Sequence, residues 1–177
     1  MKYILRGAEE AGKEVYKKAK KIIDEGKARG SLTLKGFEKE VEVDGRRHVV
    51  KVIDGGAVEE DRDGKTLLRI KITAEVDGVK SEYTITYGRH GAGNRSEGIA
   101  YARCDAPEVR EADAERFSAL IRALTGEEPR VYRINNSRIM IVCGREHLDG
   151  FARYDELADA IEEWLEETSR RTRRPRR

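Results

Sequence analysis

The sequence contains no glutamine, only three asparagines and three prolines, and no long apolar run. Heat-labile amides are scarce, whereas 36 Lys and Arg stand beside 34 Asp and Glu. This balance is typical of hyperthermophilic proteins, which are rich in ion-pair formers, although a mesophilic domain with a solvated charged surface is the alternative. No stretch is apolar enough to cross a bilayer, and the first residues lack a hydrophobic signal core. We therefore expect a cytoplasmic protein with no membrane partner.

Cysteine is also scarce. Cys104 and Cys143 are not in a CxxC pair and the three histidines are scattered, whereas a zinc site needs clustered ligands. We therefore predict no metal and no cofactor. Each cysteine ends a predicted strand, so the two are either small buried apolar residues or a disulfide, which hyperthermophiles permit inside the cell. Cys143 and His147 lie across a strand-to-helix junction, which disfavours a nucleophile and its base.

Hydrophobic periodicity predicts an α+β protein. In chain order, the predicted elements are a helix (8–28), two strands (37–43 and 46–53), an exposed acidic loop (54–65), a hairpin (68–76 and 79–87), a glycine-rich loop (88–98), a strand (99–104), a helix (107–124), a hairpin (129–143) and a helix (144–167). The pairs Asp44-Gly45 and Asp77-Gly78 are typical hairpin turns. Strands joined by short turns indicate a mostly antiparallel sheet with helices packed on one face.

Charge is strongly segregated behind a net charge of +2. Residues 145–167 hold nine acids and two bases, whereas the last ten residues hold six arginines and no acid. Residues 129–144 hold three arginines and no acid. Acid on the last helix would keep that surface away from nucleic acid, and the arginine tail would add non-specific phosphate affinity. Alternatively, the tail folds back on the acidic helix of the same or another copy.

A basic sheet face is the predicted interface. If the helices share one side of the sheet, the other side offers basic residues with the polar Thr84 and Thr86 between them, which suits a duplex. Cross-strand ion pairing with Glu75 and Glu82 is the equally weighted alternative. The glycine-rich loop is favoured as a flexible hairpin tip, because no helix follows it to form a phosphate-binding loop. The predicted nucleic-acid contacts are Arg69, Lys71, Lys80, Arg89, Arg95, Arg130, Arg133, Arg138, Arg170, Arg171, Arg173 and Arg174.

Two segments, "EADAERFSALIRALTGEEPRVYR" and "CGREHLDGFARYDELADAIE", resemble the paralogous repeat family of hyperthermophilic crenarchaea known as PaRep (2b type). The resemblance covers residues 66–168. The resemblance implies a hyperthermophilic archaeal origin and a multicopy, mobile gene. It implies no catalytic residue, because the family has no assigned function.

The same segment is more distantly similar in layout to half of a LAGLIDADG homing endonuclease. That resemblance implies a saddle whose sheet sits in the DNA major groove. The family's signature helix ends in an acid that binds the catalytic metal, and no such motif stands in this sequence. The nearest string is "KIIDEGKARGSL", with Asp24 and Glu25.

We therefore predict three segments: an N-terminal helix and hairpin extension (1–65), a LAGLIDADG-like α+β core (66–168) and a disordered arginine-rich tail (169–177). The leading functional hypothesis is a non-catalytic protein that binds duplex DNA through its sheet face and tail. One alternative is a metal-dependent endonuclease with Asp24 or Glu25 as ligand. The other is an interaction module in which copies of the chain self-assemble.

Overall fold

A computed structural model describes residues 30–102, 107–134 and 138–173 as one antiparallel sheet with three helices. The strands are β1 (Glu38–Val43), β2 (Arg46–Arg62), β3 (Lys65–Val76), β4 (Val79–His90), β5 (Arg95–Tyr101), β6 (Arg130–Ile134) and β7 (Arg138–Cys143). The helices are α1 (Pro107–Thr125), α2 (Arg145–Phe151) and α3 (Asp155–Arg173). The strands lie in the order β1-β2-β3-β4-β5-β7-β6. The α+β class and the antiparallel sheet are confirmed, whereas the predicted helix over 8–28 lies outside the described residues.

Tight turns connect the first four strands. Asp44, Asp63 and Asp77 each adopt a positive φ of 51–54°, and the glycine after each has φ between 76° and 81°. Two successive positive φ values define the mirror-image turn that suits the twist of a hairpin. The turns at Asp44 and Asp77 were predicted and are confirmed. The turn at Asp63 was missed, although it has the same Asp-Gly signal.

The predicted acidic loop over 54–65 is wrong, because β2 continues to Arg62 and its part from Val50 to Arg62 pairs with β3. β1 pairs only with the first part of β2, from Arg46 to Lys51. The remainder is therefore a sheet edge, where one flank faces solvent and polar residues and glycines are tolerated. A register shift between Val52 and Asp54 bends the strand at this point.

The helices cover one face of the sheet and leave the other open. In β3, Leu68, Ile70 and Ile72 are buried, whereas the intervening Arg69 and Lys71 are more exposed. The buried set belongs to one core with the apolar sides of α1, α2 and α3. Successive strand residues point to opposite faces. The buried residues therefore fix which of the remaining strand residues lie on the helix side and which lie on the open face.

The sheet curls around α1 at one end of its strands. Glu115 of α1 lies 3.5 Å from Arg46 of β2, and Glu111 of α1 accepts bonds of 2.6 and 2.7 Å from Arg133 of β6. The β1–β2 turn and β6 line one cavity of about 640 Å³ along this helix. A flat sheet of seven strands would be about 29 Å wide, whereas a helix is about 10–12 Å across. The open face is therefore convex at this end.

The predicted single helix over 144–167 is two helices. Between α2 and α3, the backbone carbonyls of Ala152 and Arg153 accept hydrogen bonds from Gly30 and Leu32, each at 3.0 Å. The amide of Asp155 donates in turn to the carbonyl of Leu32 at 2.7 Å. Because these groups bond to a distant segment, they are not used within a continuous helix. No periodicity within residues 144–167 reveals this partner.

The predicted division into segments at residues 65 and 169 stays a prediction. Residue 65 begins β3 directly after a tight turn, and β1 and β2 continue the same sheet and core as the later strands. At the other end, α3 continues through Arg173, past the predicted start of a disordered tail at residue 169. No proline interrupts the helix before Pro175. Among the described helices, none is both long and apolar enough to span a membrane.

Candidate nucleic-acid interface

The open sheet face is divided by charge. On the open sides of β3, β4, β5, β7 and β6, seven bases stand against three acids. On the open sides of β1 and β2, five acids stand against three bases. The first group consists of Lys65, Arg69, Lys71, Lys80, Arg95, Arg130 and Arg138, with Glu75, Glu82 and Glu97. A polyanion would therefore favour the half of the face that contains β5, β6 and β7 together with the neighbouring β3–β4 hairpin.

Three arginines of this basic half are unpaired in the described structure. Arg95, Arg130 and Arg138 are exposed, and none has an ion-pair partner among residues 30–102, 107–134 and 138–173. The guanidinium of Arg138 instead lies 5.7 Å from the ring centre of Tyr101. Arg95 and Arg130 line a groove of about 530 Å³ at the opposite end of the same strands. Within the described part of the chain, no carboxylate competes with phosphate for these three cations.

Two exposed tyrosines lie between these arginines. Tyr101 of β5 and Tyr132 of β6 both pair with Met140 of β7, from opposite sides. The two residues are 44% and 45% exposed, and exposed apolar residues that lie together mark an interaction site more often than isolated ones do. The next row across these strands is Ile99, Val142 and Arg130. We call the set of Tyr101, Tyr132, Met140, Arg130 and Arg138 the tyrosine–arginine patch.

Sequence reasoning missed both tyrosines, although a signal was present. Tyr101 follows the buried Ala100, and Met140 lies between the buried Ile139 and Ile141. Strand alternation places each of these neighbours on the opposite face. The alternation therefore predicts that Tyr101 and Met140 are on the open side once the helix side is known.

The middle of the open face contains a cross-strand ion pair that differs from the predicted pairing with Glu75 and Glu82, for which the described residues show no ion pair. Arg69 lies 2.7 Å from Glu60 on the adjacent strand, and Lys80 is directly opposite Glu75. Lys71 is exposed and lies opposite Thr84. Because Arg69 is largely neutralised by Glu60, it contributes less to phosphate binding than its position suggests.

Arg89 is not a loop residue, because β4 continues to His90 and only residues 91–94 separate it from β5. The predicted hairpin connection between two strands is confirmed, but the predicted loop over 88–98 is too long, because the turn comprises only residues 91–94. Arg89 shares the helix side with Tyr87, and its guanidinium lies 5.1 Å from the Trp164 ring centre. It donates to the Thr168 hydroxyl at 3.0 Å, to the Ser96 hydroxyl at 3.0 Å and to two backbone carbonyls. Burial, and then the charge of nearby Arg145, lower the pKa of Arg89. This arginine holds α3 on the sheet and does not lie on the open face.

Arg133 also lies on the helix side, so its predicted place on the open face is wrong. In β6, Val131 and Arg133 are opposite the buried Ile141 and Ile139, which face the helices. The hydrogen bonds between Arg133 and Glu111 raise the pKa of Arg133 and lower the pKa of Glu111. Arg133 therefore joins the edge strand to α1.

The tail arginines are only partly described. Positions 170, 171 and 173 lie in the last turns of α3, and Arg174 lies outside the described residues. Immediately before them, the buried Thr168 donates to the carbonyl of Trp164 at 2.7 Å and accepts a bond from Arg89. Thr168 is therefore part of the folded domain.

The helix side is acidic around α3. Partial burial, followed by a hydrogen bond and repulsion from Glu167 and repulsion from Glu163, raises the pKa of Glu59 to about 7. The cavity along α1 is lined by five acids, among them Glu108, Glu111 and Glu128, and by only two arginines. A polyanion is therefore repelled from the helix side and attracted to the patch on the other side of the sheet.

The residues weighed for nucleophilic chemistry are engaged in the fold. Burial raises the pKa of the Cys143 thiol to about 12. The His147 ring accepts a bond from the Gly144 amide at 3.0 Å and lies 3.0 Å from the carbonyl of Glu128. Both ring nitrogens are thus bound to backbone. Cys143 is a buried thiol, and Cys104, its partner in the disulfide alternative, lies outside the described residues.

Metal ligands were also considered. Over the described ranges, no group of three or more His, Cys, Asp and Glu is arranged to hold a metal ion. Asp24 and Glu25, the ligands of the endonuclease alternative, lie outside those ranges.

No protein-family model, curated protein or solved structure matches this chain.

Proposed function

We propose that this chain is a non-catalytic nucleic-acid-binding protein that uses its open sheet face. The observation that carries the proposal is the group of three exposed arginines, Arg95, Arg130 and Arg138, which have no ion-pair partner among the described residues. Elsewhere on the sheet, arginines such as Arg69 and Arg133 are matched with carboxylates. Unmatched arginines on one side of a domain, with an acidic surface on the other, are the electrostatic pattern of a polyanion-binding protein.

The layout supports the same proposal. Helices on one side and an uncovered sheet on the other is the arrangement expected of a LAGLIDADG-like half domain, and we propose that relationship together with membership of the PaRep family. The curvature differs from the expected saddle, because the open face is convex where it carries the tyrosine–arginine patch. A surface of this shape touches a rigid cylinder along a narrow strip, and a broad sheet does not enter a major groove about 12 Å wide.

The test is the salt dependence of binding. In the triple variant Arg95→Ala, Arg130→Ala, Arg138→Ala, the slope of log Kd against log salt should fall by about two to three, because each neutralised phosphate contributes roughly 0.7–0.9 to it. Binding is measured by fluorescence anisotropy with labelled oligonucleotides across a salt series. Circular dichroism checks that the variant remains folded.

The matched control removes three positive charges from the other half of the same face. Arg47, Lys51 and Arg62 of β2 lie beside the acids of β1 and β2. Their triple alanine variant has the same net charge as the first, and its slope should change by less than about one. Equal changes in the two variants would show that net charge, not the location of the arginines, controls binding, and would refute this interface.

The tail is tested separately with a chain ending at Ser169. This chain keeps Thr168, which accepts the bond from Arg89, and removes all six terminal arginines. We expect several-fold weaker binding at low salt, with the difference shrinking as salt rises. An unchanged affinity would confine the interface to the sheet.

A further inference from the structure

We infer that the tyrosine–arginine patch binds single-stranded nucleic acid by stacking bases on Tyr101 and Tyr132. This inference rests on the proposed function and specifies its substrate class. Proteins that bind single strands combine cations that follow the backbone with exposed aromatic rings on which bases stack. The patch supplies both on one uninterrupted surface.

The positions of the rings support stacking. Tyr101 and Tyr132 lie in one row across three strands, on either side of Met140. Two strand spacings separate them, about 9.5 Å along the sheet. Met140 is half-buried between them, so the floor of the row is apolar while the rings stand out from it. Two bases that are not paired to a second strand can lie on these rings, whereas bases within a duplex are already stacked on each other.

The positions of the cations fit the backbone of the same strand. Arg138 lies against the Tyr101 ring at 5.7 Å. Arg130 precedes Tyr132 by two residues in β6, so the two side chains lie on the same, open face of the sheet. Phosphates that flank two stacked bases would therefore meet an arginine on each side. From Arg130, a groove of about 530 Å³ leads to Arg95; four arginines and two acids, Glu97 and Glu146, line it, so its lining has a net positive charge.

A second copy of the chain is the competing occupant of an exposed aromatic patch. If the patches of two copies met face to face, Arg130 and Arg138 of one copy would lie near the same arginines of the other. With no acid partner for these residues among the described positions, the contact would be repulsive. Charge complementarity therefore favours a polyanion.

The experiment compares two paired substitutions in the full chain. Tyr101→Leu with Tyr132→Leu removes the rings but keeps apolar bulk, and Tyr101→Phe with Tyr132→Phe keeps the rings. Each protein is titrated with a labelled single strand of thymidines and with a duplex of the same length, over a salt series. Thermal unfolding confirms that both variants fold.

The wild-type protein should bind the single strand more tightly than the duplex. The leucine pair should weaken single-strand binding by about tenfold or more for each ring, as expected for loss of base stacking. The phenylalanine pair should remain within about threefold of wild type, because stacking needs the ring and not the hydroxyl. The salt slope should be the same for all three proteins, since no charge is removed.

Three results would overturn the inference in different ways. Equal or tighter duplex binding, unaffected by the leucine pair, would remove the stacking role and leave the proposed function intact. Failure of the wild-type protein to bind either nucleic acid at low salt would refute both. A dimer in analytical ultracentrifugation that the leucine pair dissociates, without any change in nucleic-acid affinity, would assign the patch to contact between copies.

Discussion

Replacing Arg89 with alanine should destabilise the protein and leave nucleic-acid affinity unchanged. Its guanidinium makes two hydrogen bonds of 3.0 Å to hydroxyls, one of 3.2 Å to the carbonyl of Asn94 and one of 3.4 Å to the carbonyl of Leu165. It also lies over Trp164. Hydrogen bonds involving a charged group contribute about 1.5–3 kcal/mol each at most, and a cation–π contact about 0.5–1 kcal/mol. These contributions overlap and the site is only half-buried, so we expect a total loss of about 2–3 kcal/mol.

For a chain of 177 residues, this loss lowers the melting temperature by roughly 5–10 °C. The only tryptophan is Trp164, so intrinsic fluorescence follows unfolding at the site of the change. Arg89→Lys should recover only part of the stability, because an ammonium group cannot reproduce the planar fork of a guanidinium. Circular dichroism provides a second, global measure of unfolding.

The neighbouring Arg95 is the matched control for this experiment. It is exposed and has no ion-pair partner in the described residues, so Arg95→Ala should change stability by no more than about 0.5 kcal/mol. It should instead weaken nucleic-acid binding. A variant of Arg89 that melts with the wild type but binds nucleic acid poorly would reverse the assignment, and the arginine would belong to the interface.

Two further predictions concern the helix side of the sheet. The pKa of Glu59 is about 7, above its ordinary 4.5, so the folded state binds this proton more tightly than the unfolded state. Its contribution to stability is complete below pH 4.5 and is lost as the pH rises through about 7. Glu59→Gln should therefore be more stable than wild type at pH 8, by up to about 1 kcal/mol. Urea unfolding of the two proteins should show this difference in stability at pH 8 and not at pH 5. A difference of the same size at both pH values would exclude repulsion from Glu167 as the cause. Gly55→Ala should lower the free energy of unfolding by about 1–3 kcal/mol, because the added Cβ overlaps the buried Leu34 side chain. Gly56→Ala is the control, since its Cβ meets nothing within 4 Å. Equal melting temperatures for the two variants would contradict this packing.

Local signals were sufficient for much of the fold. The Asp-Gly pairs and the alternation in β3 and β4 depend on neighbouring residues alone, so the sequence predicts these elements. The second half of β2 was predicted as a loop because its polar residues and glycines suit solvent. They occur in a strand because β3 binds one flank while β1 ends before them. Which strand covers which flank is a property of the whole sheet and is not present in the segment.

The face on which each candidate arginine lies depends on the alternation of side chains along its strand. Arg89 continues the alternation of Tyr83, Ile85 and Tyr87 and was therefore predictable, but Gly88 suggested that the strand had ended. Arg133 was not predictable in this way, because β6 has basic and apolar residues on both faces. Only its pairing with β7 shows that Arg133 lies on the helix side.

The contact between the beginning and the end of the described chain has a consequence for the order of folding. The carboxylate of Glu156 accepts hydrogen bonds from the amides of Leu34 and Lys35, both at 2.8 Å and both across more than 120 residues. During synthesis, the hairpins of β1 to β5 can form from adjacent residues, but this clasp needs α3 to have left the ribosome. Until then, Leu34 has no fixed place against Gly55, and the polar half of β2 lacks its cover. We therefore expect refolding to end with this closure, so that Glu156→Gln accelerates unfolding more than it slows folding.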